Sequence, residues 1–279
     1  MSRRQERPTI ERNVAQGGGK PVLVLRKARR VLDCFSVEAP RLSFQQIQRG
    51  SQLPASTCLR LLQSLVREGF LDRVGDLYRP GINLLHWASL VSSGHDVITD
   101  AAPFLARLRE ATGETACLYV RDSLQRICVA MDQSRHSVIR QLHVGKVMPL
   151  NAGSAGKVFL AFDDGVYQEI KSQGLFAYTP QTLTDSEVLE KDLQQVRATG
   201  VSSSVGERDL SAASISAPVF DAGGEVVAAI GIAGPKERFQ PEVHEFWSAV
   251  VREGARELSR DLGYGAQKGE AAWGQALNR

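Results

Sequence analysis

Apolar residues fall at helical spacing soon after residue 20. Val24, Leu25, Ala28, Val31, Leu32 and Phe35 recur at i, i+3, i+4, i+7 intervals, with Lys27, Arg29 and Arg30 on other faces. This pattern predicts an amphipathic helix. Ser43-Phe44-Gln45-Gln46 fits the S-x-x-Q box, in which hydroxyl and amide satisfy free backbone N–H groups at a helix start. Phe44 and Ile47 give this second helix an apolar side, and Gly50 is its expected end, because glycine enters the left-handed conformation at little cost. Pro54 opens a third helix over 54–68, where its missing N–H is harmless. Cys58, Leu61, Leu62, Leu65 and Val66 form one stripe of it. Ser56, Arg60, Gln63 and Arg67 lie opposite, with Thr57 and Ser64 on a flank. Gly69 stops the helix. Phe70–Val74 and Leu77–Arg79 then read as two strands around Gly75-Asp76, a glycine-first pair suited to a two-residue hairpin.

Helix, helix, turn, helix, hairpin is the order of a winged helix-turn-helix, whose third helix presents small polar and cationic residues to a DNA major groove. Arg60 is the expected base contact, with Ser56, Thr57, Gln63 and Arg67 beside it. Arg26 and the wing's Arg73 and Arg79 are expected on phosphates, which position without specifying.

Beyond the hairpin, Leu84, Leu85, Trp87, Ala88 and Val91 predict a linker helix over 81–96, too apolar for a free connector. A partner subunit is one candidate to cover it. A helix over 97–111 ends at Gly113. Strands are expected over 115–120, 126–131, 137–144, 214–220 and 226–233, with helices over 154–162, 164–172, 185–199 and 241–262. Mixed strands and flanking helices predict an α+β domain over 97–262. Residues 1–20 read as a flexible basic arm and 263–279 as a flexible tail.

Charge sharpens this division. Residues 1–80 hold 15 Lys and Arg against 7 Asp and Glu, and the rest 19 against 24. An excess of cations at one end suits a polyanionic partner, although five of the fifteen lie in the arm. Cys34, Cys58, Cys117 and Cys128 form no C-x-x-C pair and read as thiols in a reducing compartment. No apolar run is long enough to span a membrane. A cytoplasmic protein without membrane contact is expected.

The search for chemistry mostly excludes. Around Gly156-Lys157 the phosphate-loop pattern fails, because Asn151 and Val158 stand where Gly and Ser/Thr belong. Ser154-Ala155-Gly156-Lys157 fits S-x-x-K but lacks the S-D-N and K-T-G companions of the penicillin-recognising serine enzymes. The histidines and cysteines have no zinc spacing, and no cofactor is implied. Small residues over 152–156 and 228–234 leave room either for a ligand or for close backbone packing. Arg140 is either a carboxylate clamp or an exposed strand-face arginine. Besides a DNA-binding regulator, two alternatives stay open: a ligand sensor working through protein contacts, and an α+β enzyme fused to a winged helix.

Several stretches together resemble the IclR family of bacterial transcriptional regulators. They are Leu53-Pro54-Ala55-Ser56-Thr57 through Leu65, Gly113-Glu114-Thr115-Ala116, Val144-Gly145 with Met148-Pro149-Leu150, Ala155-Gly156-Lys157, and Ala217–Asp221 with Ala228-Ala229-Ile230. The resemblance implies a winged helix-turn-helix joined by a linker helix to a GAF-like α+β effector-binding domain. It also implies a homodimer or homotetramer on double-stranded operator DNA, and a small organic acid or aromatic effector for a catabolic operon. It puts the effector near Ser137, Arg140, Ser154, Ala155, Glu207, Ser214, Gly231 and Ala233. Many members that bind small acids carry serine where this chain has Gly231 and Ala233. Their replacement suggests a bulkier, more aromatic ligand with its carboxylate on Arg140.

Overall fold

The computed structural model describes residues 22–93, 96–139 and 141–265. They divide into two compact units that part between residues 95 and 96. The expected arm, Arg140 and residues 266–279 of the expected tail lie outside the described residues.

In the first unit, α1 (Leu23–Leu32) is followed by β1 (Leu42–Ser43), α2 (Phe44–Ser51), α3 (Ala55–Arg67), β2 (Leu71–Val74), β3 (Leu77–Pro80) and α4 (Asn83–Ser93). The capping box forms: Gln46 N–H donates to Ser43 Oγ and Ser43 N–H to Gln46 Oε1. Gly50 is not where α2 ends. The helix runs to Ser51, and Gln52 takes the left-handed cap at φ 55°. Gly50 serves packing instead, since a Cβ there would lie 2.9 Å from Cys34 Sγ. Gly69, at φ +73°, ends α3: its N–H reaches Val66 O at 3.1 Å and Phe70 N–H reaches Leu65 O at 2.9 Å, a Schellman cap. The hairpin pairs Asp72 with Arg79 and Val74 with Leu77, and β3 also pairs with β1. Val31, Ile47, Cys58, Leu61, Leu62, Leu65, Leu71 and Tyr78 bury against one another. The stripe predicted for α3 is thus its inner face.

The second unit begins with α5 (Asp96–Asp100) and α6 (Ala102–Thr112). One helix was expected here. Pro103 in the first turn of α6 has no N–H to donate backward, so the helix breaks and restarts at Ala102. The strands β4 (Thr115–Asp122) and β5 (Gln125–Asp132) follow as a hairpin, then β6 (Val147–Pro149), α7 (Ser154–Phe162), α8 (Asp164–Gln173) and α9 (Ser186–Thr199). The strands β7 (Ser202–Val205), β8 (Ala212–Phe220) and β9 (Val226–Pro235) precede α10 (Pro241–Asp261). The six strands form one antiparallel sheet in the order β6-β5-β4-β9-β8-β7.

The strand expected over 137–144 does not form among the described residues. Val138 and Val144 are exposed, and the chain rejoins β5 only at Gly145, whose N–H donates to Cys128 O at 2.7 Å. The third strand of this hairpin is β6. β7 was not anticipated.

Side chains alternate across the sheet. Ala116, Leu118, Ile215, Ala217, Ala228 and Ile230 bury beneath α6 and α10 with Phe104, Leu108, Trp247 and Val251. Cys117, Tyr119, Cys128 and Ala229 face α7, α8 and α9. Tyr264, in the expected tail, stacks on Phe220 at 5.1 Å between ring centroids.

Candidate DNA-binding face and effector pocket

The outer face of α3 is what its inner face leaves over. With Cys58, Leu61, Leu62 and Leu65 buried, Ser56, Arg60, Gln63 and Arg67 are exposed and Thr57 is half-buried. Ser64 Oγ donates to Arg60 O at 3.0 Å, so that hydroxyl serves its own helix. Among the described residues no acidic side chain pairs with Arg60, Arg67 or Arg26. The wing differs. Arg79 Nε lies 3.1 Å from Asp72 Oδ2, its partner across the hairpin. Arg73 Nε donates to Gly75 O at 3.0 Å and Nη2 lies 3.6 Å from Asp76. The third helix therefore carries uncompensated cations, while the wing arginines are already engaged.

In the second unit a cavity of about 50 Å³ lies on the α7 side of the sheet, lined by Tyr119, Arg126, Met148, Glu207, Arg208 and Ser214 among others. Strand alternation explains it. Ser214 and Ser216 on β8 stand opposite Ala233 and Gly231 on β9, all directed away from the α6–α10 core. Gly153, at φ +92°, turns the chain into α7 without a side-chain cap. Ser154 Oγ then meets Ser214 Oγ at 2.7 Å and Ser216 Oγ at 2.8 Å.

Glu207 is held twice: Oε2 accepts Gly153 N–H at 2.8 Å and Oε1 accepts from Lys157 Nζ at 2.7 Å. Lys157, 1% exposed, also donates to Ser203 O at 2.7 Å. A carboxylate at a helix N-terminus paired with a buried ammonium is a fixed strut.

Of the residues expected around an effector, Glu207, Ser214 and Ala233 line the cavity. Ser154 lies behind Ser214. Ala155 is buried in the apolar cluster beneath α7. Ser137 is exposed and lines no part of the cavity, and Arg140 lies outside the described residues. Gly231 does not open space for a larger ligand. A Cβ there would sit 2.1 Å from Ile215 O and 2.5 Å from Ser216 Oγ, so close strand packing dictates this glycine.

The residue that sequence reasoning missed is Arg126. It is 4% exposed, its Nη1 donates to Pro149 O, and its Nε has no partner among the described residues. Its Cζ stands 5.7 Å from the Tyr119 ring centroid, within cation–π range. Burial pushes the guanidinium down to about 10, leaving it a cation at neutral pH, and burial raises the Tyr119 phenol well above its usual 10. The signal was a charged residue opening the apolar run Arg126–Met131. Alternation alone did not say which face it takes. Among the described residues no group of His, Cys, Asp and Glu could hold a metal, and no helix is long and apolar enough to cross a membrane.

Residues 24–75 match the IclR helix-turn-helix domain, and residues 89–260 match the bacterial transcriptional regulator IclR C-terminal family. The HTH-type transcriptional repressor AllR of Escherichia coli K12 is 30% identical over 265 residues, 94% of this chain and 97% of that protein. The crystal structure of an IclR transcriptional regulator from Alicyclobacillus acidocaldarius superposes with a TM-score of 0.78 at 26% identity, covering 88% of this chain and all of that one (100%). An IclR homolog from Microbacterium hydrocarbonoxydans, solved with 4-hydroxybenzoate, has a TM-score of 0.74 at 26% identity, covering 86% and 99%. A winged helix-turn-helix and a six-stranded α+β unit in this order, matched along both segments, place the chain in the IclR family of bacterial transcriptional regulators, a DNA-binding regulator and not an enzyme.

Proposed function

We propose that this regulator binds a double-stranded operator through α3 and that a small organic acid in the cavity beside α7 sets its operator affinity. The observation that carries the reading is the outer face of α3, where Ser56, Arg60, Gln63 and Arg67 stand exposed and the two arginines have no acidic partner among the described residues. Arg60 reads a base edge, Thr57 and Arg67 flank it, and Arg26, Arg73 and Arg79 lie against phosphates. Residues 21–80 form the reading module, 81–96 the connecting lever and 97–262 the sensing domain. The effector class is supported by the cationic cavity and by the 4-hydroxybenzoate held by the Microbacterium homolog. The protein acts in the cytoplasm as a homodimer or homotetramer, and its targets are catabolic genes.

An effector alters operator binding only by preferring one of two arrangements of the protein. A coupling of ~1–3 kcal/mol changes operator affinity ~5–150-fold. The test is fluorescence anisotropy on DNA from upstream of the chain's own coding region, against a scrambled duplex, across a salt series. Selective binding that weakens steeply with salt is expected, because counterions are released from neutralised phosphates. Equal binding to both duplexes, with and without a pool of aliphatic and aromatic acids, would refute the operator reading. A flat salt response would favour protein contacts instead.

A further inference from the structure

On the reading that this cavity takes the effector, we propose that Arg126 is its anion anchor, the Nε–Nη2 edge of the guanidinium receiving the two oxygens of a short carboxylate. Arg126 is nine-tenths buried and more, yet among the described residues no carboxylate lies within ion-pair distance of it. Among the described residues only Nη1 is engaged, by Pro149 O, and Nε is a buried donor with nothing to donate to. Burying a cation without a counter-charge is costly, and a carboxylate matches the planar fork in two parallel hydrogen bonds.

The start of α7 packs closely on the guanidinium. A Cβ at Gly153 would lie 2.7 Å from Nη2, and one at Gly156 would lie 2.5 Å from Nη1. Two glycines at the start of α7 thus let the guanidinium lie against the helix N-terminus, so that two positive ends meet at one cavity. The nearby acid, Glu207, is tied to Gly153 N–H and Lys157 Nζ, and Arg208 adds a second cation to the lining. The cavity, about 50 Å³, is several times the ~10–15 Å³ of such space that one water needs. It admits a molecule of a few non-hydrogen atoms, whereas an aromatic acid requires the lining to move.

The full chain is titrated calorimetrically with acetate, propionate and 4-hydroxybenzoate, and with propionamide as the uncharged counterpart. Propionate is expected to saturate the wild-type protein, with propionamide about tenfold weaker or more, the loss of a charge-assisted pair. Arg126→Gln is expected to weaken propionate to the same degree, and the surface control Arg135→Gln to leave it unchanged. Arg126-dependent binding of 4-hydroxybenzoate would support the anchor and enlarge the ligand. If circular dichroism shows that Arg126→Gln does not fold, Arg126→Lys decides, because it keeps the charge and loses the fork. It is expected to bind about tenfold more weakly.

The proposal is overturned if no carboxylate binds, if amide and acid bind alike, if a folded Arg126 variant binds like wild type, or if Arg140→Gln abolishes binding while Arg126→Gln does not. Operator anisotropy on the same preparations separates the two readings. Selective DNA binding without carboxylate binding removes the anchor and leaves the regulator.

Discussion

Gly231 illustrates how a missing side chain can report packing and not room. Its Cβ position is filled by Ile215 O and Ser216 Oγ, whereas Ala233, two residues on and on the same strand face, borders the cavity. The two positions therefore answer differently to the same substitution. Gly231→Ser should cost ~1–3 kcal/mol or more in urea unfolding, as overpacked cores do. Ala233→Ser should stay within ~0.5 kcal/mol, as substitutions outside such features do. Equal costs would contradict the packing account. Arg126 sets the pH range of the proposed site. Its folded-state value, about 10, lies below the ordinary guanidinium range because burial disfavours the charge. Carboxylate binding needs the cation, so affinity should be level from neutrality to pH ~9 and fall as pH rises through about 10. Calorimetry across that range tests the sign, and affinity that rose there would exclude a guanidinium anchor.

Among the elements, α3 and the wing share the expected DNA contacts unequally. Arg60 and Arg67 stand without acidic partners among the described residues, while Asp72 neutralises Arg79 across the hairpin. Each released phosphate contact changes the salt slope by ~0.9. Arg60→Ala should relax sequence preference, and Arg79→Ala should lower the slope by less than that amount because Asp72 already neutralises it. Anisotropy at several salt concentrations distinguishes them. The α3 outer face was legible in the sequence because a 3.6-residue period separates buried from exposed positions without knowledge of the partner. Elements defined by long-range pairing were less legible. Ser202-Ser203-Ser204 gives no apolar alternation, yet it forms β7 because β8 supplies its hydrogen-bond partners. Val138, Leu142 and Val144 gave a strand-like run, but β5 is paired by β4 and β6 and leaves that run without a ladder. The cavity was half visible for the same reason. Ser214, Ala233 and Glu207 were named, whereas Arg126 required knowing which face of β5 turns toward α7.

For the whole molecule, the surface of α4 bears on assembly. Ile82, just before α4, and Leu85, Trp87 and Leu90 on it are all more than half exposed in the single chain, although Trp87 also packs on Phe70 at 5.5 Å. Covering such a face by a second copy is the proposed source of the homodimer. Leu85→Glu should shift light scattering toward the monomer and weaken operator binding, and an unchanged mass would place the subunit contact elsewhere. The double tie on Glu207 reaches further, to what the cell's metabolite pool can report. With the Glu207 carboxylate tied to Gly153 N–H and Lys157 Nζ, and Arg126 and Arg208 in the same lining, the cavity favours an anion over an ammonium group. If the cavity takes the effector as proposed, an amino acid and the oxo or hydroxy acid of the same skeleton part company here. A regulator with such a site is expected to report the deaminated compound in preference to its amine.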